Sequence, residues 1–144
     1  QAFDDEMIDR IAQHRARRAG AWRTRDVPLA LPEAVAASDG PVLVDCLTLW
    51  LTNLILAEAD VADATERLRA ACAAARGPLV LVGNEVGLGI VPDNALTRRF
   101  RDAAGRLHQQ LATQADRVVL TVAGLPLVVK PQASGQAPDA GVSP

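Results

Sequence analysis

The sequence has very little of several features that mark particular classes of protein. Only one of its 15 basic residues is a lysine, Lys130, so a catalytic lysine elsewhere in the chain is excluded. The phosphate-binding pattern GxxxxGKS/T is absent for the same reason, because it needs a lysine after its last glycine. No apolar run is long enough to cross a membrane. The formal net charge of -2 gives no general attraction to nucleic acids or membrane surfaces.

Cysteine is also scarce, which limits the disulfides and cysteine-bound metal sites that the chain could form. Cys46 and Cys72 are far apart in the sequence, and neither a CxxC pattern nor a metal-like cluster surrounds them. Two reduced cysteines in the core are the expected state for a cytoplasmic protein. The sequence therefore predicts no disulfide framework and no cysteine-bound metal, and we expect the protein in the cytoplasm.

Length and composition predict one domain. The chain has 144 residues, of which 49 % are hydrophobic and 22 % are charged, an ordinary globular balance with enough material for a core. From Pro131 onward the sequence holds three prolines and two glycines but one large apolar residue. We therefore expect a single α/β domain over residues 1–130 and a disordered tail over residues 131–144.

Apolar strands alternate with helical stretches along the chain. "PVLVD" and "LVLVGNEVG" are short apolar runs that end in polar residues, typical of strands buried on both faces of a parallel sheet. The clearest helices are predicted over residues 4–18 and 93–115, the second beginning at Pro92 and Asp93. "RVVLTVAGLPLVVK" predicts a strand, a Gly-Leu-Pro turn and a final strand. The pattern indicates an α/β fold with a mainly parallel sheet, whose ligand site lies beyond the carboxyl ends of the strands.

Two groups of residues follow strands and are candidates for that site. Asp45 ends the first strand. It would either bind Mg²⁺ beside nucleotide phosphates or cap the next helix, and the spacing of the sequence favours neither role over the other. Residues 84–94, "NEVGLGIVPDN", contain Gly87 and Gly89, which allow close backbone approach or positive φ. A plain strand-to-helix loop is the favoured alternative for this segment.

His14 is a third candidate, because basic residues surround it. It lies in "RIAQHRARRAG" with Arg15, Arg17 and Arg18 close behind it on the predicted helix. Imidazole can act as a general base, a metal ligand or a nucleophile. Toward a nucleotide α-phosphate it would form a phosphoramidate, with the arginines binding the phosphate charge. On spacing alone a solvated surface histidine is the favoured alternative, and His108 is less distinctive still.

The order and spacing of four stretches resemble one family. That family is the bifunctional adenosylcobinamide kinase / adenosylcobinamide-phosphate guanylyltransferase of cobalamin biosynthesis. The stretches are "DDEMIDRIAQHRARRAGAWRTRDVP", "LVDCLTLWLTNL", "LVGNEVGLGIVPDNALTRRFRDAAGRLHQQLA" and "VAGLPLVVK". The resemblance covers residues 1–130, and "NEVGxGIVP" followed by "RxFRD" is its most specific part.

The resemblance implies a fold and two reactions. The fold is that of the P-loop NTPases, a RecA-like three-layer arrangement with a mainly parallel sheet, assembled as a homotrimer. In the first reaction ATP or GTP phosphorylates the aminopropanol hydroxyl of adenosylcobinamide. In the second, GTP with Mg²⁺ guanylylates a histidine, pyrophosphate leaves, and GMP passes to adenosylcobinamide phosphate, giving adenosylcobinamide-GDP. Neither a nucleic acid nor a membrane is an expected partner.

Carried over to this chain, the resemblance makes His14 the guanylylated nucleophile. The residues that it implies for nucleotide contact are Arg15, Ala16, Arg17, Arg18, Asp26 and Asp45. Asp45 would also bind the metal ion, although glutamate is common at its position and at that of Asp26. Because aromatic residues are only 3 % of the chain, no stacking surface for the corrin ring stands out.

The chain also departs from the family pattern. The family's N-terminal strand and phosphate loop precede the point that matches Gln1, so we expect this chain to be part of a longer protein. Ala19 replaces a common proline, and His108 stands where asparagine is common. The alternative function is that of a non-catalytic truncated subunit or interaction module with the same fold. A P-loop kinase for another small alcohol is a weaker alternative, since it would not need His14.

Overall fold

The computed structural model describes residues 22–132, in which helices and strands alternate. In chain order they are α1 (Leu31–Ala36), β1 (Val42–Asp45), α2 (Leu47–Leu56), α3 (Val61–Ala73), β2 (Leu79–Val82), α4 (Ala95–Gln114), β3 (Val118–Val122) and β4 (Leu125–Lys130). The predicted helix over residues 4–18 lies outside the described residues, as does nearly all of the predicted tail. The described residues confirm a mixed α/β arrangement.

The first two strands form a parallel pair. β1 and β2 run side by side with Val42 opposite Leu79 and Asp45 opposite Val82, and the connection between them passes through α2 and α3. A helical crossover is what a parallel pairing requires, because the chain must return to the starting edge of the sheet. This pair confirms the parallel arrangement predicted from the two apolar runs.

The last two strands form an antiparallel hairpin, not a continuation of the parallel pair. Ala123 and Gly124 connect β3 to β4 with φ angles of 52° and 77°. Positive φ at both central residues is the requirement of the two-residue turn that fits the twist of a hairpin. The predicted Gly-Leu-Pro turn is therefore correct for Gly124 but wrong for Leu125 and Pro126, which lie in β4, where Pro126 is opposite Thr121.

The core lies on one side of the parallel pair. The most completely buried large side chains come from α1 and the three longer helices: Val35, Leu51, Leu68 and Leu107. Val44 of β1 is 8 % exposed and joins this core, whereas its neighbour Leu43 is 38 % exposed. The prediction that β1 is buried on both faces is therefore wrong for the described residues, because these helices pack on the Val44 face.

Helix α2 is nearly all apolar but is not buried all round. Trp50 is 3 % exposed, and its indole nitrogen donates a 2.9 Å hydrogen bond to the carbonyl of Leu29. Leu49 and Leu56 are 46 % and 65 % exposed on other sides of the helix. Trp50 therefore lies in the core, and its hydrogen bond attaches the segment before α1 to that core.

Side chains cap the two longest helices. The Asp60 carboxylate accepts hydrogen bonds from the backbone N–H groups of Ala62 and Asp63 at the start of α3. Asn94 accepts from the Thr97 N–H at 3.1 Å, so α4 begins two residues later than the Pro92–Asp93 start predicted from the sequence. Side-chain oxygens at this position satisfy backbone donors that have no partner within the helix. Within residues 22–132 no helix is both long and apolar enough to span a membrane.

Candidate functional site

The parallel pairing brings two polar segments to one edge of the sheet. Asp45 is the last residue of β1 and pairs with Val82, the last residue of β2. Gly83 and Asn84 follow directly, so the ends of both strands open at the same carboxyl edge. Ligands of open α/β sheets bind at this edge, where loops leave the strands. The structure thus brings Asp45 and the 84–94 segment together, as the strand pattern predicted.

A buried hydroxyl connects the two strand ends. Thr48, in the first turn of α2, is 5 % exposed, and its Oγ1 accepts a 3.0 Å hydrogen bond from Asn84 Nδ2. The same hydroxyl lies 3.0 Å from the Sγ of Cys46, which immediately follows Asp45. Hydrogen bonds to a buried hydroxyl fix the groups that share it, because leaving any of them unpaired is costly. This arrangement fixes the start of the loop after β2 relative to the end of β1.

Thr48 was not among the residues predicted from the sequence. The signal available was a hydroxyl inside the apolar run "CLTLWLTNLIL", where a buried polar group must find a hydrogen-bond partner. That signal identifies Thr48 and Thr52 equally. The structure separates them, because the Thr52 hydroxyl donates to the Thr48 carbonyl one helical turn away and makes no bond across the sheet edge that the structure records.

The loop from residue 83 to residue 94 is exposed and is attached at its far end. Arg98 Nη1, on α4, donates to the carbonyls of Pro92 and Asp93. Glu85 accepts a hydrogen bond from the Gly87 N–H and so closes a local turn. Among the described residues positive φ occurs at Glu58, Ala123 and Gly124, so the positive φ considered for Gly87 and Gly89 is not adopted. The other role predicted for Gly87 and Gly89, close approach of the backbone to a ligand, stays a prediction.

His108 reaches this edge from α4. Its Nε2 is shielded from solvent and has no hydrogen-bond partner within the described part of the chain. A Cβ built on Gly83 would lie 2.5 Å from that nitrogen, so the imidazole fills the space beside the end of β2. His108 therefore contacts the backbone directly before Asn84, a neighbourhood that the sequence did not predict.

Asp26 lies on the segment before α1, and hydrogen bonds from Asn53 and Trp50 fix this segment to α2. Pro28, two residues later, accepts a 3.1 Å hydrogen bond from Asn53 Nδ2, and Leu29 accepts from Trp50. Asp26 lines an open cleft together with Arg25 and residues of α1. The predicted nucleophile and the basic segment behind it are not in the described residues: His14, Arg15, Ala16, Arg17 and Arg18.

The carboxyl edge suits a cation that arrives with phosphates. Across residues 22–132 no group of three or more histidine, cysteine, aspartate or glutamate side chains could hold a metal ion by itself. Mg²⁺ does not need such a cage, because it is commonly bound by one or two carboxylates together with substrate phosphates and water. The exposed carboxylate of Asp45, at the end of a strand, fits this mode of binding.

Both cysteines are free thiols. Cys46 is half-buried at the carboxyl edge, and Cys72 is half-buried where α3 packs against the core. Burial raises the pKa of the Cys72 thiol, because the thiolate loses hydration at this position. Both cysteines lie at the margin of the core and not within it.

The fold and the edge define an α/β protein whose parallel strand ends form a candidate ligand site. The chain matches the family described as "Cobinamide kinase / cobinamide phosphate guanyltransferase" over residues 1–129. It is 48 % identical to the "Bifunctional adenosylcobalamin biosynthesis protein CobP" of Pseudomonas aeruginosa over 135 residues, covering 90 % of this chain and 78 % of that protein.

Two further relatives extend the match. The "Bifunctional adenosylcobalamin biosynthesis protein CobU" of Salmonella typhimurium is 39 % identical over 148 residues, and that of Escherichia coli is 40 % identical over 148 residues. Each match covers 90 % of this chain and 82 % of the relative. The chain therefore belongs to the cobinamide kinase / cobinamide phosphate guanyltransferase family of enzymes, which confirms the resemblance drawn from the sequence.

Proposed function

We propose that this protein carries out both reactions of its family. It phosphorylates the aminopropanol hydroxyl of adenosylcobinamide with ATP or GTP, and it then transfers GMP from GTP to the product through a guanylylated His14. The family match over residues 1–129 includes His14, and each relative described above is named as a bifunctional protein of adenosylcobalamin biosynthesis. The product of the two steps is adenosylcobinamide-GDP.

The arrangement at the carboxyl edge is the structural observation that carries the proposal. Asp45 ends β1, and the Thr48–Asn84 hydrogen bond holds the loop after β2 beside it. A nucleotide at this edge would meet a carboxylate suited to Mg²⁺ and a loop whose glycines leave its backbone accessible. We assign Asp45 to nucleotide and metal binding and Asp26 to a further nucleotide contact.

The choice of nucleophile rests on the two histidines of the sequence. His108 places its Nε2 against Gly83, shielded from solvent, where that nitrogen has no room for a phosphorus centre. His14 precedes Arg15, Arg17 and Arg18, which would bind phosphate oxygens. These two observations support His14 over His108 as the guanylylated residue.

In the guanylyl step, unprotonated His14 attacks the α-phosphorus of GTP and forms a P–N bond as the bond to pyrophosphate breaks. The arginines stabilise the negative charge that develops on the phosphate oxygens. Bound Mg²⁺ would supply further charge neutralisation at the phosphates, with Asp45 among its ligands. Histidine suits a transferable intermediate, because it is a good nucleophile and, once protonated, a good leaving group. The phosphate of adenosylcobinamide phosphate then attacks the same phosphorus and releases His14.

For the fold we propose the RecA-like arrangement of P-loop NTPases, with residues 1–130 as one domain, residues 131–144 as a tail, and a homotrimeric assembly. Two observations support this fold: the parallel pairing of β1 with β2, and the exposure of apolar side chains on one face of these two strands. Leu43, Val80 and Val82 are 38 %, 55 % and 38 % exposed on the strands, as expected where a further strand and helix pack in the whole protein. A phosphate loop would belong to that further segment.

Mass spectrometry of the full-length protein incubated with GTP and Mg²⁺ tests the proposal. The expected result is an added GMP that is lost in acid and maps to His14. His14→Asn should abolish the adduct and guanylyl transfer while leaving phosphorylation of adenosylcobinamide in place, and Gln13→Ala serves as the matched control. An adduct on His108 would overturn the assignment of the nucleophile.

The kinase reaction is tested separately by following phosphate transfer from ATP and from GTP to adenosylcobinamide. Phosphate transfer in this assay supports the first reaction, whether or not His14 is found to be guanylylated. A folded full-length protein without either activity would favour the non-catalytic alternative. Equal loss of both activities in folded His14→Asn would contradict the division of labour between the two steps.

A further inference from the structure

The buried nitrogen of His108 is the least satisfied polar group at the carboxyl edge. Its Nε2 has no solvent contact and no hydrogen-bond partner among the described residues. Buried polar atoms normally have a partner, and an orphaned one weakens the fold. If His108 contributes to the structure of this edge, the contribution therefore does not come from a hydrogen bond made by Nε2.

The shape of the ring provides that contribution. A Cβ on Gly83 would lie 2.5 Å from Nε2, 3.2 Å from Cε1 and 3.4 Å from Cδ2 of His108. The imidazole thus occupies the volume that a side chain at residue 83 would take. Gly83 stands between the last residue of β2 and Asn84, whose Nδ2 donates to Thr48. The ring therefore lies beside the backbone from which the loop departs.

We propose that His108 is a positioning residue for the nucleotide site. Its ring holds Gly83 in place, so that Asn84 keeps its hydrogen bond to Thr48 and the loop after β2 stays beside Asp45. The effect is steric, and it acts through Asn84 and not on the reacting atoms. This inference rests on the proposed function, because it assigns the edge to the nucleotide.

The test is a set of substitutions in the full-length protein, with the GTP Kd from calorimetry and the nucleotide KM in both reactions. His108→Ala removes the ring, and His108→Leu keeps a side chain of similar volume without the nitrogen. Gln109→Ala, an exposed neighbour on α4, is the matched control. Removing an outer-shell partner of a metal ligand typically costs about tenfold to a hundredfold in metal affinity or activity, and we expect the lower end of that range here.

We expect His108→Ala to raise the GTP Kd and the nucleotide KM by about tenfold, with kcat nearly unchanged, and His108→Leu to restore most of the affinity. A merely structural role would reduce the amount of folded enzyme and so lower kcat at an unchanged KM, and that result would overturn the proposal. Loss of affinity in His108→Leu equal to that in His108→Ala would also overturn it, since the nitrogen would then be the important group.

A double-mutant cycle tests the route through Asn84. Asn84→Ala should raise the GTP Kd by itself, and adding His108→Ala should then change it less than about twofold, because residues that act as a unit are not additive. Effects that multiply in the double variant would contradict the route. Because the Kd is measured without turnover, this result is separate from the proposed function, which fails if the wild-type protein lacks both activities.

Discussion

Lys130 Nζ donates a 2.6 Å hydrogen bond to the carbonyl of Ala115, and the last residue of β4 thereby caps the carboxyl end of α4. The same ammonium group donates to the carbonyls of Ala112 at 3.0 Å and Thr113 at 3.1 Å. These carbonyls have no partner within the helix. A positive charge at this end is also favourable, because the carboxyl end of a helix carries the negative end of the helix dipole. The single lysine of the chain therefore fastens the hairpin to its longest described helix.

Lys130→Met should lower the free energy of unfolding by about 1–2 kcal/mol, because three carbonyls lose a charged donor. Arg106→Met is the matched control, since it removes one exposed positive charge from α4 away from the cap. Lys130→Arg should recover part of the loss, because the planar guanidinium cannot reach all three carbonyls as a compact ammonium does. Urea unfolding measures each value, and equal stability of Lys130→Met and wild type would contradict the cap.

Thr48→Val keeps the shape of the side chain but removes the hydroxyl shared by Asn84 and Cys46. We expect a loss of about 1–2 kcal/mol in the free energy of unfolding and a higher nucleotide KM. Thr52→Val is the matched control on the same helix, because the Thr52 hydroxyl donates to the Thr48 carbonyl within that helix. The expectation fails if Thr48→Val costs no more stability or affinity than Thr52→Val.

Asp45→Asn should raise the Mg²⁺ concentration needed for half-maximal activity in both reactions, because a neutral amide is a weaker ligand for this hard cation than a carboxylate. The shift should be about tenfold or more if the carboxylate binds the ion or a water molecule on it. Asp116→Asn, exposed in the turn between α4 and β3, removes the same charge elsewhere. An unchanged Mg²⁺ requirement in Asp45→Asn would remove this residue from the metal site.

Stability should fall at alkaline pH because of Cys72. Burial raises the pKa of this thiol in the folded state, so the unfolded chain loses the proton first as the pH increases. The contribution of Cys72 is therefore complete below the ordinary thiol pKa and is lost as the pH rises through the higher folded value. As the pH rises above the ordinary thiol pKa of about 8.5, Cys72→Ala should lose less unfolding free energy than wild type. Cys46→Ala, which retains Cys72, should keep the decline.

The local elements were predictable from the sequence because their causes are local. Apolar runs predicted β1 and β2, and the helix predicted over residues 93–115 corresponds to α4. The hairpin was predicted, but its turn was misplaced because Ala123 adopts positive φ, which alanine seldom does. Propensity could not identify that residue in advance.

The candidate site was predictable only in part. The strand ends identified Asp45 and the segment after β2, since parallel strands share one carboxyl edge. The Thr48–Asn84 bond joins residues 36 positions apart, and the contact of His108 with Gly83 depends on how α4 crosses the end of β2. Such contacts follow from packing geometry, which the pattern along one sequence does not specify.

Gly83 and His108 also constrain how this protein can diverge. Because the imidazole fills the space that a Cβ at residue 83 would need, a larger residue at 83 requires the ring of His108 to move or to be replaced by a smaller side chain. Across related sequences, a larger residue at 83 should therefore be accompanied by a smaller one at 108, and the pair should covary.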